Sequence, residues 1–270
     1  MNSKIKLLIS GYNGYIGKCF IRYLKKKKIN FQKLDLKQKK NYKNFTHLLH
    51  LQFYIEDKKV NLKKNIFMMK KIINICHKHR LFLIFPSTAS FSSKKSTKKI
   101  KKLKVFNYYT MAKNECEKMI LFYNKNFNIN YTILRIFNVY GDNYKNRYLI
   151  SKMISSFKSV KKYQKLKIKF SDNVRDYIYI SDLNSLILKV MKKKYNGIFE
   201  AGSGKSITIK NLSKKMNYIF NKRNILEYIE PKKSIINFYS KSNISRTKNV
   251  FGWYPKVDIN SGLKKLINKS

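Results

Sequence analysis

A doubly wound parallel α/β sheet followed by a smaller, mixed α/β lobe is what this 270-residue sequence predicts. Three observations carry that expectation. Strand-like apolar runs alternate with helical periodicity through the first half of the chain, the pattern of a parallel sheet covered by crossover helices. Three of the nine glycines, Gly11, Gly14 and Gly17, crowd together directly after the first apolar run. Beyond Gly141 the alternation loosens and leaves only short strand candidates, which marks a second lobe.

In chain order, residues 5–9 form the first strand candidate, and a helix opens near Ile16. Strand candidates follow at 31–35 and 46–51. Leu62, Ile66, Met69, Ile73 and Cys76 then recur at helical spacing, so they read as the core face of a helix. A strand candidate at 80–85 precedes a second stripe, Ala112, Cys116, Met119 and Tyr123, and the run 131–136 closes the alternating half. Only about a dozen residues join Asp35 to the run at 46. Short candidates at 167–170 and 198–201 belong to the looser second half. Residues 1–141 are expected to form the nucleotide-binding unit, with 174–195 returning to it, and 142–173 and 196–270 the second lobe. No low-complexity linker divides them, so the two parts should pack closely.

The glycines carry chemistry because of their context. A chain that turns tightly after a strand and lets a pyrophosphate approach the first helical turn needs residues without Cβ there. The segment Gly11-Tyr12-Asn13-Gly14-Tyr15-Ile16-Gly17 meets that requirement, and Asp35 lies about 20 residues beyond its last glycine, where a carboxylate accepts the ribose hydroxyls of NAD. Lys33 and Lys37 flank Asp35 and keep NADP open. The plainer reading is a tight turn with an incidental acid. Tyr109 and Lys113 are four residues apart, hence on one helix face, where an ammonium can lower a phenol's pKa. Ser87-Thr88-Ala89-Ser90 follows an apolar strand, at the end of the sheet where ligands bind, and a hydroxyl there can hold a substrate oxygen while a tyrosine exchanges its proton. An ordinary cap or turn is the alternative for that cluster.

Composition excludes several classes. The longest unbroken apolar candidate, 81–85, is far short of the roughly 20 residues of a membrane helix, and the N-terminus lacks a signal-peptide pattern, so no membrane insertion and a cytoplasmic setting are expected. Net charge is +48. Its lysines are scattered instead of striped and accompany abundant Asn, Ile, Tyr and Phe, which reads as compositional drift and not as a nucleic-acid surface. The tracts 25–28 and 98–104 read as solvated surface. Cys19, Cys76 and Cys116 are odd in number and far apart, so neither a disulfide framework nor a zinc site is expected. His77 and His79 lack further ligands nearby, and no metal site is read there. Gly202-Ser203-Gly204-Lys205-Ser206 ends like a P-loop, but Phe199 stands where that motif needs glycine.

The later motifs extend the pattern over nearly the whole chain. Leu49-His50-Leu51 looks like a "hydrophobic-His-Leu-Ala" strand end, and Asn65 with Ile72-Ile73 fits the helix after it. The run from Arg135 to Gly141 reads R-x-F-N-x-Y-G, the run from Arg175 to Asp182 reads R-D-[FY]-I-x-[VI]-x-D, and Phe199 to Gly204 resembles N-x-G-S-G. Phe251-Gly252-Trp253-Tyr254-Pro255 and Gly262-Leu263 fit a C-terminal L-G-W-x-P and G-L. On these residues the sequence resembles the extended short-chain dehydrogenase/reductase superfamily, in its NAD-dependent epimerase/dehydratase group.

That resemblance implies a Rossmann-type domain and a substrate-binding C-terminal lobe. It implies an NAD-dependent nucleotide-sugar epimerase that oxidises and re-reduces its substrate at C4, with Tyr109 as acid/base, Lys113 on the nicotinamide ribose and Thr88 on the sugar oxygen. Gly11, Asn13, Gly14, Tyr15, Ile16, Gly17, Asp35, Leu51 and Asn65 would complete the cofactor site, and Asn138 and Arg175 would hold the substrate diphosphate. An ion pair of Arg175 with Asp176 or Asp182 is the plainer alternative for that arginine. Gln52 and Phe53 stand where the family has small residues, and Ala89-Ser90 replaces the Asp-Glu with which dehydratases eliminate water. A nucleotide-4-keto-sugar reductase using NAD(P)H is an alternative function, and a non-catalytic polyanion-binding protein is another. A homodimer is implied through the Tyr109 helix and the helix before it, where Phe67, Met68, Ile75, Met111 and Phe122 fall outside the two core stripes.

Overall fold

A computed structural model describes residues 5–36, 41–91, 107–142, 148–161, 164–222, 225–229 and 239–268. Lys37 and the lysine tract at 98–104 lie outside them. In the first half, β1 (Leu7–Ser10), α1 (Tyr15–Lys26), β2 (Phe31–Lys33), β3 (His47–His50), α2 (Lys59–His79), β4 (Phe82–Thr88), α3 (Tyr108–Phe127) and β5 (Tyr131–Ile136) alternate as expected. Then come β6 (Asn138–Tyr140), α4 (Leu149–Ser159), β7 (Leu166–Lys169), β8 (Val174–Tyr179), α5 (Ile180–Lys193), β9 (Gly197–Ala201), β10 (Ser206–Thr208), α6 (Ile209–Ile219), β11 (Leu226–Ile229), α7 (Ser245–Phe251) and α8 (Ile259–Asn268).

The principal sheet has six strands in the order β2-β1-β3-β4-β5-β9, and every pairing in it is parallel. Strand order reverses at β1, which puts a crevice at the carboxyl ends of β1 and β3. Two cores flank the sheet, as its doubly wound form requires. One joins Leu7, Ile9, Phe20 and Leu24 to Leu183, Leu186 and Ile187 of α5 and to the second lobe. The other joins Leu8, Leu48, Leu83 and Ile133 to Met69, Ile72, Ile73, Cys116 and Ile120 of α2 and α3. β9, which the sequence reading assigned to the second lobe, is instead the edge strand beside β5, with Phe199 and Ala201 buried in the first core. No described residue between β2 and β3 forms a strand. Tyr42 instead buries its ring in the second core and meets His79 edge-on at the end of α2.

The helix ends follow local chemistry. α1 begins at Gly14 with neither a side-chain cap nor an acidic residue in its first turn, so its leading N–H groups are left for another acceptor. Asn107 caps α3 by accepting from Thr110 N, and the carboxylate of Asp57 accepts from Tyr108 N at 2.6 Å. α2 packs on α3 with Met69, Ile73 and Cys76 of the expected stripe inside, joined by Met68 and Ile72, while Leu62 and Ile66 are half-buried. Met68 is therefore core, not spare surface, whereas Phe67 and Phe122 are 59% and 57% exposed. The smaller sheets, β10-β8-β6 and β11-β7, set β8 beside the principal sheet's carboxyl edge.

Candidate active site

A cavity of about 1,120 Å³ opens at that edge. Gly11, Gly14, Tyr15, Ile16 and Gly17 line one end, Leu51 and Phe53 follow β3, and Thr88, Tyr109 and Lys113 form its floor beside Asn138 and Arg175. Residues distant in sequence converge: the glycine turn, Leu51, Phe53, Thr88 and Asn138 follow or end strands of the principal sheet, Tyr109 and Lys113 face it from α3, and Arg175 comes from β8. At Gly11, φ is +68° and an added Cβ would run into the backbone of Leu51 and Gln52. A Cβ on Gly17 would lie 2.5 Å from the Gly11 carbonyl. These two glycines let β1, β3 and α1 close up, and Gly14 leaves the helix entrance clear.

Lys113 is 5% exposed. Its ammonium donates to the Pro86 carbonyl at 2.5 Å and lies 3.8 Å from the Phe53 ring centroid and 4.5 Å from that of Phe85. Burial pulls its pKa from 10.5 to about 7, against the weaker pull of Cys116 and Glu117. Tyr109 meets Phe53 edge-on at 5.6 Å, and burial, aided by Tyr148, pushes its phenol up to about 12. The expected depression of the tyrosine by the lysine is thus absent from this state. The ammonium is aimed at Pro86 and Phe53, 6.0 Å from the Tyr109 ring centroid, and burial weakens its own charge. Thr88 Oγ1 shares a hydrogen bond of 2.9 Å with Ser90 Oγ. Beside it Ser87 is buried with its hydroxyl unpartnered, and it lines the same cavity.

Three expected cofactor residues stand apart from the cavity wall. Asn65 is fully enclosed and uses its amide twice on one neighbour, accepting from Tyr54 N at 2.9 Å and donating to Tyr54 O at 3.0 Å. It shapes the site by fixing the loop after β3, and touches nothing within it. Asn13 and Asp35 are exposed and lie beyond the lining, Asp35 just past the end of β2.

Asp176 is buried, and its carboxylate accepts from Ser203 N and Oγ, Gly204 N, and Ser242 N and Oγ at 2.5–3.1 Å. Asp182 accepts from Lys256 N and Val257 N. Arg175 lines the cavity. Asn138 donates to the Asp176 carbonyl at 2.8 Å, which ties the two segments together. The P-loop lookalike directs its Ser203 and Gly204 N–H groups at Asp176, not at an exogenous phosphate. Sequence reasoning missed Glu117, one turn beyond Lys113, whose carboxylate receives Arg135 in two hydrogen bonds of 3.2 and 2.7 Å. The spacing of Tyr109, Lys113 and Glu117 was its available signal. Among the described residues no group of three or more His, Cys, Asp or Glu gathers as metal ligands, and no helix is long and apolar enough to cross a membrane.

A model of the NAD dependent epimerase/dehydratase family matches residues 7–202. The chain belongs to that family. Among similar proteins, the dTDP-4-dehydro-6-deoxyglucose reductase of Escherichia coli is 34% identical over 97 residues, 36% of this chain and 30% of that protein. The ADP-L-glycero-D-manno-heptose-6-epimerase of Brachyspira hyodysenteriae is 26% identical over 224 residues, 77% of this chain and 69% of that protein. The fold matches the UDP-glucose 4-epimerase of Thermotoga maritima, solved with UDP-glucose, at a TM-score of 0.80 and 21% identity, covering 98% of each chain. Members of this epimerase/dehydratase family are NAD-dependent, and solved structures of the same fold hold NAD or NADPH.

Proposed function

We propose that this family member is an NAD(P)-linked nucleotide-sugar 4-epimerase. The convergence of Tyr109, Lys113, Thr88, Asn138 and Arg175 on one cavity beside the glycine turn carries the reading. The residues present fit the dinucleotide: the start of α1, which carries no side-chain cap, suits a pyrophosphate, and Lys113 lines the same cavity, which supports a role on the nicotinamide ribose. When bound, the dinucleotide supplies the hydride acceptor and donor. Tyr109, ionised once the Lys113 ammonium turns towards it, takes the proton of the sugar's C4 hydroxyl as a phenolate and later returns it, while Thr88 Oγ1 holds that oxygen. Arg175 grips the diphosphate with its planar fork and Asn138 adds an amide donor, so the sugar can present either face at C4 without leaving the site.

The first test is a panel of UDP-, GDP-, dTDP- and CDP-sugars incubated with NAD, with C4 configuration followed by NMR. Inversion without net cofactor consumption is expected, and Tyr109→Phe should slow it by about 10²–10⁴-fold. No inversion across the panel rejects the reading. The similarity to the E. coli reductase favours one alternative, reduction of a nucleotide-4-keto-sugar. Stoichiometric loss of NAD(P)H with such a substrate would select it. A homodimer through the exposed sides of α2 and α3 completes the proposal, since Phe67, Met111 and Phe122 leave apolar surface there.

A further inference from the structure

The geometry points to Phe53 as a gate on Lys113: its ring covers the ammonium and must turn aside before a cofactor ribose can reach it. This rests on the proposed role of Lys113 as ribose ligand. Three groups lie against the ammonium. Phe85 is buried in the second core, and Pro86 is held in the β4–β5 ladder opposite Leu134, so neither can yield. Phe53 alone is a loop residue at the cavity surface, and its ring centroid is the nearer of the two aromatic faces at 3.8 Å.

The loop that carries Phe53 is pinned on both sides. Leu51 N donates to Ser10 O at 3.2 Å, both backbone groups of Tyr54 are held by Asn65, and Asp57 is tied to Tyr108 N. Opening is therefore a side-chain rotation about a stationary backbone, not a loop movement. Rotation trades a cation–π contact for hydrogen bonds from Lys113 to ribose hydroxyls. It also frees the ammonium to turn from Pro86 towards Tyr109, the orientation a proton-abstracting phenol requires.

Two measurements test the gate. Stopped-flow NADH fluorescence on the full chain should show association at least about tenfold faster in Phe53→Ala than in the native protein, with Phe53→Tyr restoring the slow rate. Independently, acetylation of Lys113 by acetic anhydride without cofactor, read by peptide mass spectrometry, should rise in Phe53→Ala and return to the native level in Phe53→Tyr. If Phe53→Ala does not fold, Phe53→Leu serves both comparisons, as it removes the aromatic face and keeps apolar volume. Unchanged association or unchanged acetylation overturns the gate. If neither the native protein nor any variant binds NADH or NADPH, the reading of the site fails and the gate with it, a result distinct from binding that the substitutions do not accelerate.

Discussion

Two buried ionisable side chains sit one turn apart on α3, and their surroundings are opposite. Glu117, 4% exposed, faces the guanidinium of Arg135 in a two-point ion pair that ties α3 to β5. Lys113 has no carboxylate against its ammonium, only a carbonyl and aromatic faces. The first arrangement neutralises charge and fixes a helix on a sheet. The second leaves a charge poorly compensated at the cavity floor, which is how a site holds a cation ready for a ligand at the expense of the empty fold.

The largest effect should come from breaking the matched pair. Arg135→Leu strands the Glu117 carboxylate and should lower unfolding free energy by about 3–5 kcal/mol in urea titration. A loss below about 1 kcal/mol would make the pair equivalent to a surface bridge. Lys113→Met should act in the other direction, raising stability by about 1–2 kcal/mol at pH 6 while removing cofactor binding. The sign follows from linkage: with a folded pKa of about 7 against the ordinary lysine value of 10.5, the unfolded chain binds more protons between those values. Native stability therefore gains a rising contribution from about pH 7 upward, and Lys113→Met should lack it when unfolding is compared at pH 6 and pH 9.

The outer faces of α2 and α3 offer a third case. Lys63, Lys64, Lys70, Lys71, Lys118 and Lys125 surround the exposed Phe67 and Phe122, so a dimer built there works against like charge. Sedimentation should show the dimer fraction rising with ionic strength, and a monomer at every salt concentration rejects that interface. The smallest effect belongs to the exposed Glu115–Lys118 pair at 2.9 Å. Glu115→Gln should change stability by less than about 0.5 kcal/mol, an order below the buried pair on the opposite face.

The alternating strands and helices were legible because each buried strand is an apolar run and each crossover helix shows its own periodicity. Gly11, Gly14, Gly17, Thr88 and Asn138 were legible because the fold gathers the ends of parallel strands at one edge, Tyr109 and Lys113 because α3 faces that edge, and Arg175 because β8 contributes to the same cavity. What escaped depends on contacts between distant residues. β9 carries too short a run to announce that it pairs with β5. Asn65 looked like a ligand residue because residue type does not reveal that Tyr54 occupies both ends of its amide. Leu62 and Ile66 fall short of full burial because the buried Asn61 and Asn65 belong to the inner face of α2, and an apolar stripe cannot count them.

The Asp176 carboxylate has a bearing on when this molecule becomes complete. Its donors on Ser242 are 66 residues downstream. At a translation rate of about 5–20 residues per second, those donors arrive on the order of several seconds after Asp176 has been made. Asn138 and Arg175 are made before those donors, so the contacts that hold the Asp176 carboxylate close around a segment already synthesised. The glycine turn and the Tyr109 helix lie earlier still, and the cavity lining is completed by parts of the chain that leave the ribosome at different times.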